Sequence, residues 1–130
     1  MLQEVEAAHV GINALDADRA SETLDCLIDY VSDLLPVTNA EYPDVEAFSR
    51  GEALEFCLRH SALHFSKTAG RLAAFVENVD HGKYDHIEKL QAIVAAGLIN
   101  SLKLADEIGI SGPEIIAQMR AKFEQLDRAG

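Results

Sequence analysis

What this sequence lacks narrows its reading first. It has no CxxC pair. Its two cysteines, Cys26 and Cys57, stand singly in helical patterns and are expected as buried thiols of a reducing cytoplasm. No cluster of Lys and Arg offsets a net charge of −11, which disfavours nucleic acid and anionic membrane as partners. The longest apolar run, Ala92 to Ile99, is far too short to span a bilayer. The first residues are acidic and lack the basic start of a signal peptide, so the expected location is the cytoplasm. There is no phosphate-cradling glycine loop, no nucleophile elbow and no paired Cys–His site. Repeats, low-complexity segments and alternating strand patterns are also missing.

What is present is helical. The chain has 130 residues, the size of one domain, and 48% of them are hydrophobic, enough to build a core. Five helices are expected. The first covers about 2–15, with Leu2, Val5, Ile12 and Leu15 near one face. The second covers about 21–35, with an apolar stripe of Leu24, Leu27, Ile28, Val31, Leu34 and Leu35, and Pro36 stops it. A loop over 37–44 follows, then a short turn over 45–48. The third helix, about 50–79, starts at a Ser49/Glu52 capping pattern. Leu54, Leu58, Phe65, Leu72 and Val76 line one of its faces, and Phe56, Leu63 and Gly70 another. A helix apolar on two sides is expected to be sandwiched, within the domain or between subunits.

The fourth helix is expected to open at an Asp85/Glu88 pair and to end at Gly109, with a middle apolar all round. The fifth opens at Ser111 with Glu114 and carries Ile115, Ile116, Met119, Phe123 and Leu126 on one face. Short connections between such helices predict a single antiparallel bundle over 1–130.

Two stripes of charge share this pattern. Asp25, Asp29 and Asp33 recur every four residues and so share a helix face. They are either a cation site or, as is commoner, a solvated face. His60, His64, Lys67 and Arg71 follow at spacings of four, three and four. The two histidines could hold zinc or iron, though no third ligand is evident. The whole stripe could grip an anionic ligand such as a nucleotide phosphate, or pair with acidic residues of another helix. Asn100 sits inside an apolar helix, where it either orients a ligand or is a satisfied core amide. The Asp-His dipeptides at 80–81 and 85–86 are a weaker metal pattern.

Residues 98–110, Leu-Ile-Asn-Ser-Leu-Lys-Leu-Ala-Asp-Glu-Ile-Gly-Ile, resemble the end of the third core helix of MazG-like proteins. The segment 64–73, His-Phe-Ser-Lys-Thr-Ala-Gly-Arg-Leu-Ala, resembles the preceding core helix, and Glu114, Ile115, Ile116 and Met119 fit the last one. The resemblance covers about residues 60–125. It implies an all-α nucleoside-triphosphate pyrophosphohydrolase fold, usually dimeric or tetrameric. The implied reaction cleaves a nucleoside triphosphate to monophosphate and pyrophosphate, with magnesium held by an EExxE motif and an ExxD motif on facing helices.

In this sequence the acidic positions of the first motif fall on Lys67, Thr68 and Arg71, and those of the second on Ile93 and Ala96. Placing the first motif instead on residues 27–34 keeps Asp29 and Asp33 acidic but leaves the partner helix without ligands. The resulting expectation is a non-catalytic nucleotide-binding or interaction module, with His60, His64, Lys67, Arg71 and Asn100 as candidate phosphate-binding residues. The alternative is an active hydrolase using magnesium on Asp29, Asp33, Glu52 and Glu55. Both readings predict a homodimer or higher homo-oligomer. An ion-pair seam between the basic and aspartate stripes is a further expectation.

Overall fold

The computed structural model describes residues 2–35, 41–42, 45–83 and 86–129, with side chains from residue 16 onward except Val45. Among these residues there are four α-helices, one 3-10 turn and no strand. The helices are α1 (Leu2–Leu34), α2 (Arg50–Asp80), α3 (Ile87–Ile108) and α4 (Gly112–Ala129), with the turn at Val45–Ala47.

The all-helical class is as expected, and the count is corrected. The helices expected over 2–15 and 21–35 are one continuous helix. Residues 16–20 interrupt the apolar pattern but contain neither Pro nor Gly, and Asp, Ala and Arg cost a helix little. A polar stretch breaks an amphipathic face without breaking the backbone ladder. α1 stops at Leu34, next to the Leu35–Pro36 dipeptide, where the following proline ring disfavours helical backbone. The expected apolar face of Leu2, Val5, Ile12 and Leu15 lies outside the described side chains. The expected loop over 37–44 is described only at Glu41 and Tyr42.

The other helix ends follow local chemistry. The Ser49 hydroxyl accepts the Glu52 N–H at 3.2 Å and caps α2. α3 begins after His86, and the capping role expected of Asp85 falls outside the described residues. Gly109 ends α3 at φ +75°, a left-handed conformation that costs glycine nothing. The Ser111 hydroxyl accepts the Glu114 N–H at 3.4 Å and donates to the Glu114 carboxylate at 3.1 Å.

α3 is the centre of the molecule, packing on α2 along one face and on α1 along another, while α4 packs on α1. The α1–α3 contact is apolar. Ile28 and Val31 of α1 and Leu102 and Ala105 of α3 are the buried hydrophobic residues, with Leu24, Leu27, Ile110 and Ile115 packed against them. The α2–α3 contact is polar and antiparallel: Ser61 meets Glu107, and Thr68 meets Asn100. Gly112 joins α4 to α1. Its N–H donates to the Asp25 carboxylate at 2.6 Å, and its Cα sits so close to the Ser21 carbonyl that any Cβ would overlap that oxygen. Asp25 therefore leaves the expected aspartate stripe to cap another helix, and only glycine fits at 112.

Both cysteines are free, but the expectation that both are buried fails at Cys26, which is exposed on α1. Cys57 is half-buried beside Glu107. Among the described residues no helix is long and apolar enough to cross a membrane.

Candidate functional site

A cleft of about 340 Å³ opens where the end of α1 meets the α2–α3 pair. Leu34 ends α1 and Leu35 follows it, His60, Ser61 and His64 come from α2, Ile99, Asn100 and Lys103 from α3, and Glu41 and Tyr42 complete the rim. Its walls are mainly apolar, with a few convergent polar groups, the usual make-up of a small-molecule site.

The polar groups form a connected set. Asn100 is buried, and its amide donates to the Thr68 hydroxyl at 2.8 Å and the His64 carbonyl at 3.2 Å. Both amide hydrogens are thereby used in fixing α3 to α2, so Asn100 is a satisfied core amide that also borders the cleft. His60 and His64 place their Nε2 atoms 2.9 Å apart, and the Tyr42 hydroxyl lies 3.1 Å from His60 Nε2. One ring must donate and the other accept across such a contact, which two imidazolium ions cannot do. In keeping with this, the His64 pKa is lowered, first by burial and then by the charges of His60 and Lys67, against a weaker pull from Glu107. Tyr42 is held in place by its ring contacts, edge-on to Phe56 at 5.1 Å and to His60 at 5.0 Å.

Beneath the cleft lies a charged layer. The Lys103 amine donates to the Leu35 carbonyl at the end of α1 and stands 3.7 Å from Glu107. Glu107 is almost wholly buried. One of its oxygens accepts from Ser61 at 3.4 Å, and the other has no hydrogen-bond partner among the described residues. The Cys57 thiol is pushed above its ordinary pKa by burial and by the neighbouring Glu107 carboxylate, which keeps it protonated and a poor nucleophile. Lys103, the one Lys or Arg among the described residues lining the cleft, is thus already committed to the α1 terminus and to Glu107.

Of the residues singled out from sequence, His60, His64 and Asn100 meet in this cleft. Lys67 and Arg71 do not line it. Lys67 is exposed, and Arg71 opens into a separate shallow groove with Ala74, Phe75, Asn78, Lys89, Ala92 and Ile93. The stripe shares a helix face, but residues 60 and 71 are about 16 Å apart along the axis at 1.5 Å per residue. Asp29, Asp33, Glu52 and Glu55 are all exposed, and among the described residues no three His, Cys, Asp or Glu side chains gather as a metal set.

The expected seam is also missing: among the described residues no ion pair joins Lys67 or Arg71 to an aspartate of α1. α1 packs on α3 and α4, which keeps the two stripes apart. Thr68, Ile93 and Ala96 are half-buried, with Thr68 against Gly97 and Asn100. Side chains of this kind do not fit magnesium, which needs hard oxygen ligands and is repelled by the nearby Lys67 and Arg71.

Sequence reasoning missed Tyr42, Ser61, Lys103 and Glu107. The spacing of Lys103 and Glu107, four residues apart inside an otherwise apolar helix, is the signal that could have found two of them. Comparison with protein-family models, with curated proteins and with solved structures finds no match to this chain.

Proposed function

We propose that this chain is a non-catalytic binding module with a MazG-like helical fold, and that its cleft receives the base and sugar of a nucleotide rather than gripping its phosphates. The observation that carries the reading is the α2–α3 contact. Where hydrolysis would require two sets of carboxylates, the motif positions hold Lys67, Thr68 and Arg71 on α2 and Ile93 and Ala96 on α3. Asp29 and Asp33, the acidic alternatives, are exposed on α1 and do not line the cleft.

The cleft's chemistry sets the orientation. Leu34, Leu35 and Ile99 offer apolar walls, and Tyr42 and the two imidazoles offer ring faces and hydrogen-bonding edges. A flat heterocycle suits such a lining. A triphosphate does not, because Lys103 is engaged elsewhere and Lys67 and Arg71 lie outside the cleft.

Two assays test this. Pyrophosphate release from standard and modified nucleoside triphosphates, with magnesium and then manganese, should stay at background. Turnover abolished by Asp29→Ala would overturn the reading and move the site to α1. In calorimetric titrations, nucleosides and their mono- and triphosphates should bind with affinities within about tenfold of each other, and His60→Gln should weaken all of them. Affinity that climbs with each phosphate and collapses in Lys67→Ala would instead place the phosphates on the basic stripe.

A further inference from the structure

Three donor atoms of the cleft converge more closely than hydrogen bonding explains. His60 Nε2 stands 2.9 Å from His64 Nε2 and 3.1 Å from the Tyr42 hydroxyl. An imidazole nitrogen carries one proton or one lone pair, not both. If His60 Nε2 is protonated, its single hydrogen has to be shared between a nitrogen and an oxygen. If it is bare, its single lone pair faces two donors. In both cases one of the two contacts is poorly served. A metal ion removes the conflict, because all three atoms then direct a lone pair at one centre.

The spacing also selects the metal. With bonds of about 2.0–2.1 Å, two nitrogens 2.9 Å apart subtend about 90° at the ion, and the 3.1 Å pair about 100°. Tetrahedral zinc would hold such atoms wider apart, at about 3.3–3.4 Å. Neighbouring corners of a tetragonal site match, which is the geometry of Cu²⁺ and Ni²⁺ with nitrogen and oxygen donors.

The donors are held from behind. His60 and His64 are about one turn apart on α2. The His60 ring stacks on Phe56 at 5.6 Å and meets Tyr42 edge-on at 5.0 Å, and Phe48 lies against the same Phe56 at 5.8 Å. The Asn100 amide donates to the His64 carbonyl and pins that turn of helix. Side chains fixed in this way give up little freedom on binding. Charge is compatible as well. Glu41, beside Tyr42 on the rim, supplies a carboxylate, and Lys103 is balanced by Glu107. Lys67 lies near His64 but is exposed, where water and salt screen it.

We infer that His60, His64 and Tyr42 bind a divalent transition ion of tetragonal preference, copper or nickel, through two imidazoles and a phenolate whose proton is released to solvent. This goes beyond the nucleotide reading and does not rest on it.

The test uses the full chain in a Cys26→Ser background, since that exposed thiol would itself take up copper. Calorimetric titration with Ni²⁺ should give one ion per chain with a Kd of about 10 µM or tighter; weaker binding means an adventitious ion only and overturns the inference. His64→Gln should weaken binding by about thirtyfold or more, while His81→Gln with His86→Gln should leave it within about twofold. The reverse order overturns the site. Tyr42→Phe should weaken Ni²⁺ by about tenfold and remove the phenolate-to-copper absorption band that Cu²⁺ gives beforehand. If affinity and spectrum survive that substitution, the three-donor site is wrong. A measurement without substitution at the site guards against misfolded variants. Substoichiometric Cu²⁺ should broaden the NMR signals of Tyr42, His60 and His64 before those of His81 and His86, and the opposite order overturns the inference. Nucleoside titrations in a strong chelator report on the nucleotide reading alone, so that each reading fails separately.

Discussion

The two halves of α3 carry the same kind of apolar stripe and meet different fates. At the C-terminal half, α1 lies across Leu102 and Ala105 and a core forms with Ile28 and Val31. At the N-terminal half, α1 has ended, and Ile87, Val94 and Leu98 face outward. Nothing in the side chains distinguishes the halves. Whether an apolar residue becomes core is decided by what the chain brings over it, and among the described residues nothing lies over the open half.

The comparison can be broken at its covered end. Gly112→Ala should cost about 3–4 kcal/mol, because the new methyl would collide with the Ser21 carbonyl and push α4 off α1. Gly97→Ala is the control. Its methyl would meet only the Thr68 methyl at 4.0 Å, and it should stabilise α3 by about 0.5–1 kcal/mol. Urea unfolding of both variants checks the pair. Equal midpoints would mean that the α1–α4 junction is looser than described.

Some of this was legible in the sequence and some was not, for physical reasons. The caps at Ser49 and Ser111 and the stop at Gly109 were readable because each is settled by residues within four positions of itself. The continuity of α1 was misread at 16–20 because apolar periodicity reports which face is buried, not whether the backbone is helical. Asn100 is legible as a polar residue inside an apolar helix, and His60 and His64 by their spacing of four on one helix face. Lys67 and Arg71 were grouped with them by periodicity, which says nothing of distance along the axis. Tyr42 could not be placed, since its position depends on ring contacts with Phe56 and His60 made after the chain has turned back. Asp25 looked like one more solvated aspartate because its partner is 87 residues away.

The same stripe allows a sharper test. Leu102→Ala should cost about 2–3 kcal/mol at any protein concentration, since it opens a cavity in the α1–α3 core. Leu98→Ala, one turn earlier on the same stripe but 48% exposed, should fall within about 0.5 kcal/mol of zero. Urea melts of the two variants check the pair, and an equal penalty at both would show that Leu98 is covered.

The smallest effect is expected at the cleft. His64 has a lowered pKa, through burial first and His60 second, so the folded chain takes up this proton less readily than the unfolded one. Its contribution to stability is then complete above the ordinary imidazole value of about 6.5 and declines as pH falls below it. In an NMR titration the His64 ring should protonate at lower pH in the folded than in the unfolded chain. His60→Gln should raise that midpoint more than Lys67→Ala does. The reverse order would mean that Lys67 turns toward the cleft.

The bond from Gly112 to Asp25 also sets an order of events. It spans 87 residues of chain, whereas α2 and α3 are neighbours joined by a short connection. Loop closure disfavours the distant contact, so the α2–α3 hairpin assembles early and α1 docks late. Through that interval Ile28 and Val31 remain in water, and a newly made chain spends it with both of its apolar stripes open to whatever else is nearby.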